Sequence, residues 1–194
     1  MLVRQLTKQL SRSLNTALSG IADAITKVLI DLSPTSNGFY SLGTPFQPAG
    51  GFEIEFDFST SSTATMFLTG SASDATSFIA FVNSGTAIRV RTNNASLDTG
   101  VLTLADGLLH TLKVIYESGT VTIILDNTVV KSGAGANGSN FGVIGQASSS
   151  LYFDGIISNV KLRDLDTPAN SLEFNLNQLT ANTETNNGVT LTYQ

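Results

Sequence analysis

The chain has no cysteine and no tryptophan, only one histidine and four prolines in 194 residues, and charged residues make up 13% of it. Without cysteine there are no disulfides, thiolate nucleophiles or cysteine-held zinc, and a single histidine rules out a multi-histidine metal site. The charged share is about half that of an ordinary globular domain, so the surface must be largely neutral and hydroxylated. A net charge of -5 and a pI near 4.6 argue against nucleic-acid binding, which calls for a basic stripe. Long apolar runs are also missing. IADAITKVLIDL, residues 21–32, is interrupted by Asp23, Lys27 and Asp31 and fits neither a membrane span nor a secretory signal. The absence of a membrane association is therefore expected.

What is present divides into an arm, a linker and a β domain. Residues 4–19 read RQLT, KQLS, RSLN, TALS, four tetrads with leucine third in each. On a helix Leu6, Leu10, Leu14 and Leu18 form one ridge. From Leu14 the steps alternate between four and three through Leu18, Ile21, Ile25, Val28 and Leu32, an a/d seam. Pro34 supplies the stop. Residues 1–33 are thus expected to be a helical arm, either lying on its own domain or, as we favour, oligomerising or anchoring the chain. Its basic, serine-containing, acid-free start also has the composition of a transit peptide. Residues 34–50 hold three of the four prolines together with Gly and Ser, and read as a linker.

Residues 51–194 read as a mainly β domain with strands every 8 to 12 residues separated by Gly, Asn, Ser or Asp. Expected strands include FEIEFDF at 52–58, GVLTL at 100–104 and LYFDG at 151–155. Ser118-Gly119 and Asp126-Asn127 make residues 108–132 a three-stranded meander, with Leu112, Val114 and Tyr116 on one core face and Val121, Ile123 and Leu125 on the next. Eleven phenylalanines, each worth roughly 1.5–3 kcal/mol when buried, can hold such a domain without disulfides.

DGLLHTLKVIYESGTVTIILDNTVV (106–130) resembles the laminin-G-like pattern of a strand opening on His-Thr, a turn, and a strand ending in Asp. FGVIGQASSSLYFDGIISNVKLRD (141–164) resembles that family's Phe-Asp-Gly-x-Ile-Ser-x-Val strand. The resemblance spans about residues 50–165 and implies a concanavalin A-like antiparallel β-sandwich, a jelly roll, with adhesion to a surface glycan or protein. The basic-x-Leu-Thr tetrads ahead of such a domain resemble virion proteins of tailed phages. That implies a structural or adhesion component of the virion, joined to other virion proteins by the arm and forming a homo-oligomer, a trimer by analogy with phage fibres.

Chemistry-bearing candidates are few. Glu53, Glu55 and Asp57 alternate along FEIEFDF, and glycosidases of this fold carry paired carboxylates on one strand, so a polysaccharide hydrolase using Glu53 and Asp57 is the enzymatic alternative. The middle position lacks the Asp of those enzymes, and no tryptophan is available for sugar stacking. A solvated acidic face opposite four buried apolar side chains, with no catalytic residue, is the expectation. Arg89 and Arg91 form a basic row that could pair with the acids if their strands are neighbours. His110 lacks a nucleophile partner and reads as structural. Asp74 and Asp154 could contribute to a calcium site, although Ca²⁺ takes six to eight oxygens and no Asp-x-Asp cluster exists; no cofactor is expected. GAGANGSN, residues 133–140, lacks a phosphate-loop lysine and reads as a flexible hairpin loop, and Asn94 and Asn137 head formal glycosylation sequons.

Overall fold

The computed structural model describes residues 38–147, 151–176 and 183–194. The helical arm, and with it Leu6, Leu10, Leu14, Leu18, Ile21, Ile25, Val28 and Leu32, lies outside the described residues. Among the described residues fourteen strands follow in chain order: β1 Tyr40–Phe46, β2 Phe52–Ser59, β3 Met66–Gly70, β4 Phe78–Val82, β5 Ala87–Thr92, β6 Ala95–Asp98, β7 His110–Glu117, β8 Thr120–Leu125, β9 Thr128–Ala134, β10 Phe141–Ile144, β11 Ile156–Asp164, β12 Leu172–Asn175, β13 Thr183–Asn186 and β14 Val189–Tyr193. They form two antiparallel sheets, of order β13-β14-β1-β10-β3-β4-β5-β6 and β12-β11-β2-β7-β8-β9, stacked as a sandwich.

Alternation in the sequence explains the layers. Phe52, Ile54, Phe56 and Phe58 on β2 are fully buried, while the acids between them sit on the opposite face. Phe58 packs against Phe81 from the other sheet, with ring centroids 5.0 Å apart, and against Phe153 at 6.3 Å. Phe52 meets Phe141 edge-on in the same way. The meander forms as expected in β7, β8 and β9, with Leu112, Val114, Tyr116, Val121, Ile123 and Leu125 all in the core. Its two turns have positive φ at both central residues, Ser118 and Gly119, then Asp126 and Asn127, which suits the right-handed twist of the flanking strands. One flank of the sandwich closes so tightly that a Cβ on Gly133 of β9 would stand 2.6 Å from Leu97 of β6.

Several expectations need correction. The linker reading of 34–50 fails at residues 40–46, because β1 lies inside the eight-stranded sheet between β14 and β10. Its ladder with β10 is irregular between Ser41 and Phe46, and Gly43, Thr44 and Pro45 are exposed there, so the turn formers mark a bulge and not a tether. GVLTL and LYFDG are not strands. They are loops that each drop one side chain into the core, Leu104 and Phe153, while Val101 stays 88% exposed. GAGANGSN is not a hairpin loop, since β9 and β10 belong to different sheets. Its first two residues end β9, and residues 135–140 cross between the sheets and are tied down: Thr92 Oγ1 accepts from the Ala136 N–H at 2.9 Å, and Asn137 donates to the Ala49 carbonyl at 2.7 Å. The edge strand β13 escaped notice because TETN has no apolar alternation. Glu184 on it is partly buried, and burial raises its pKa above the usual carboxylate range, an inward-leaning charge of the sort that discourages edge pairing.

Candidate functional site

The acid row lies on the outer face of the six-stranded sheet, and register decides its partners. Lys161 of β11 and Lys113 of β7 flank Glu55 of β2, and Arg163 of β11 stands opposite Glu53. Lys161 Nζ reaches Glu55 Oε1 at 2.7 Å and Lys113 Nζ reaches Glu55 Oε2 at 3.0 Å; Lys113 also lies 3.5 Å from Glu53, which Arg163 engages directly. Thr111 donates to Asp57 Oδ1 at 2.7 Å, and the Asn159 amide to its Oδ2 at 2.5 Å. The result is a cross-strand ladder in which the Glu53 and Glu55 side chains are only 14% and 15% exposed. The acids face outward as expected, yet Glu53 and Glu55 are covered by cations, and Asp57 is held by a hydroxyl and an amide.

Burial alone would raise the Glu55 pKa, but hydrogen bonds and charge from Lys161 and Lys113 outweigh it and hold the carboxyl below its ordinary value. A general acid needs a shift in the other direction. The cations in this ladder are not those expected. Arg89 and Arg91 belong to β5 in the opposite sheet, where Arg89 makes a bidentate pair with Asp98 of β6, both bonds at 2.7 Å, and Arg91 reaches Asn94.

His110 opens β7 and is 8% exposed. Its Nδ1 lies 2.7 Å from Asp126 and its Nε2 3.1 Å from Asp106, while Asp126 also accepts from the Thr111 N–H at 2.9 Å. The imidazole therefore staples the loop before β7 to the β8–β9 turn. Burial would lower its pKa, but the two carboxylates prevail and raise it. A raised folded-state pKa means that the stabilisation is complete below the unfolded value of about 6.5 and is lost as pH climbs through the folded value. Thermal melts should accordingly give a lower Tm at pH 9 than at pH 6, by roughly 2–4 °C for each kcal/mol lost, and His110→Gln should flatten that difference. An equal pH dependence in the variant would show that the staple is not its source.

Asp74 accepts from the Thr76 N–H within its own turn at 2.9 Å, and Asp154 is engaged through its main chain by Thr60 and Met66. Among the described residues no group of three or more His, Asp or Glu side chains gathers as a cation would require.

A cleft of about 210 Å³ opens at the other end of the sandwich from His110. Its walls are the bulged Thr44–Gln47 stretch, the short 3-10 turn Pro168–Asn170 with Leu172 beyond it, and the tip of the β13–β14 hairpin at Asn187. Asp164, 3% exposed, organises the turn: Oδ1 accepts from the N–H groups of Asp166 and Thr167 at 3.1 and 2.8 Å, and Oδ2 from the Asn170 amide at 3.3 Å. Asn187 pins the same turn from outside, donating to the Ala169 and Ser171 carbonyls at 3.3 and 2.6 Å. Sequence reading missed this cleft because its parts lie in a supposed linker and in polar loops. The Asn187-Gly188 dipeptide, a strong two-residue hairpin signal, could have revealed one wall.

Neither a protein-family model nor a curated protein sequence matches the chain. Among solved structures it is similar to a candidate carbohydrate-binding protein from Bacteroides ovatus, at 12% identity and a TM-score of 0.63 over 81% of this chain and 56% of that one. The chain thus spans little more than half the length of that protein. It is similar to the laminin α2 LG1–3 region at 18% identity and a TM-score of 0.53, covering 74% of this chain and 27% of that one. A heptameric SAP-like pentraxin from Limulus polyphemus gives 10% identity and a TM-score of 0.51, covering 66% and 70%. The described domain therefore has the fold of the laminin-G and lectin-like jelly rolls.

Proposed function

We propose that this chain is a non-catalytic binding module whose ligand is a glycan. The observation that carries the reading is the fit of four-fifths of the chain to a candidate carbohydrate-binding protein. The ladder adds support, because of the two candidate catalytic acids Glu53 is engaged by Arg163 and Lys113 and Asp57 by Thr111 and Asn159, while Glu55 between them is held ionised by two lysines. A surface low in charge suits a ligand of hydroxyls.

We also propose that residues 1–33 gather copies of the module and attach it to a larger particle, a virion, with other virion proteins as neighbours. This rests on the leucine ridge and the phage-like tetrads of the sequence. Avidity from linked copies can exceed single-site affinity by about 10²–10⁴. One experiment addresses both proposals: the full chain and a chain starting at residue 34 on the same glycan array. The same glycans should light up with both, far more weakly with the shorter protein. Silence of both across the array would remove the glycan reading, and equal signals would remove the arm's role.

A further inference from the structure

We infer that the cleft between Thr44–Gln47, the Pro168–Asn170 turn and Asn187 is a subsite for one neutral, hydroxylated sugar ring, such as a hexose or N-acetylhexosamine unit of a larger glycan. The inference deepens the glycan-binding reading and rests on it.

Size is the first argument. At about 210 Å³ the cleft falls below the roughly 300–1,000 Å³ of sites for drug-sized ligands, so it takes one ring and leaves the rest of a chain outside. Its chemistry is the second. Pro45, Leu172 and Val189 offer aliphatic surface to the C–H face of a ring, while the Gln47 carboxamide can donate and accept, Asn170 keeps its Oδ1 and one N–H beyond its bond to Asp164, and Asn187, whose amide donates to two carbonyls of the turn, offers its Oδ1 as an acceptor. A hydroxyl likewise donates and accepts, so this set matches sugar hydroxyls better than it matches a purely accepting anion.

Charge narrows the class further. Among the described residues no Lys, Arg or His lines the cleft, and the one acid there, Asp164, has both oxygens committed to the turn behind. A carboxylated sugar or a phosphate would enter without a counter-ion and beside a buried carboxylate. A neutral sugar escapes that penalty. Preorganisation is the last element: Asp164 and Asn187 hold the 168–171 segment from two sides, so binding does not have to order it.

The test is a titration of the isotope-labelled full chain, followed by amide NMR, with the methyl glycosides of glucose, galactose, mannose and N-acetylglucosamine. Each is taken to about 100 mM, because a single ring makes few contacts. N-acetylneuraminate serves as the anionic control. At least one neutral sugar should shift the amides of Gln47, Asn170 and Asn187, and the control should leave them in place. Thr44→Trp, a change at an exposed position that fills the cleft, should weaken this binding at least tenfold without lowering Tm; Gln47→Ala, also exposed, should weaken it several-fold. Shifts that cluster elsewhere, or binding by both variants equal to wild type, would overturn the subsite and leave glycan binding intact. No shift with any of the sugars overturns the subsite whatever the array shows. Combined with a silent array it removes the glycan reading as well.

Discussion

Phe58→Ala should cost about 3–5 kcal/mol, a third or more of the stability of an ordinary domain, and should appear as a large drop in the urea midpoint with a smaller change in slope. The size follows from where the ring sits. Phe58 is fully buried, crosses from β2 to Phe81 of the opposite sheet, touches Phe153 where the 151–155 loop plugs the interior, and lies 5.5 Å from the His110 ring. Truncation would leave a cavity that three separate elements border, none of which can collapse without dragging its strand or loop. A loss below about 1 kcal/mol would mean that the two sheets are not packed through this ring.

The second large effect concerns the ladder. Glu55→Ala removes the acceptor shared by Lys113 and Lys161, leaving Lys161 without its partner and Lys113 with only the longer contact to Glu53. Exposed pairs are worth at most about 1 kcal/mol and breaking a buried one costs about 3–5 kcal/mol; a pair 15% exposed on one side and more than a quarter exposed on the other falls between, at about 1–2 kcal/mol. Because the Glu55 pKa is depressed, its contribution is present above the unfolded value and lost as pH falls through the folded one, so the wild-type advantage over Glu55→Ala should shrink below about pH 4. Denaturant titrations of the two proteins at pH 7 and pH 3 decide this, and an advantage unchanged at pH 3 would contradict the ladder.

The sandwich was legible wherever one face of a strand is buried and the other wet. FEIEFDF and the β7–β9 meander announce themselves through period-two alternation, and their turns through residues that tolerate positive φ. Legibility failed where a strand borrows its order from its neighbours. The β1 strand reads as a tether because Gly43 and Pro45 interrupt it, yet Tyr40, Leu42 and Phe46 are buried between β14 and β10. Edge strands β6 and β13 need no apolar pattern, since they pair on one side only. The acids were located correctly on the face opposite the core, but their partners were not, because pairing depends on which strands become neighbours. The sequence distance from Glu53 to Arg163 says nothing of their adjacency, which is set by the β11–β2 register. The cleft was invisible for the same reason, being assembled from three segments, the first of which lies more than a hundred residues before the other two.

The central claim is that the carboxylates of β2 brace a binding scaffold and do not cleave its ligand. The most direct test is to incubate the wild-type chain and Glu53→Gln with every polysaccharide that the array shows to be bound, and to quantify new reducing ends. The account predicts binding with no release above blank for either protein; release by the wild type that Glu53→Gln abolishes would contradict it.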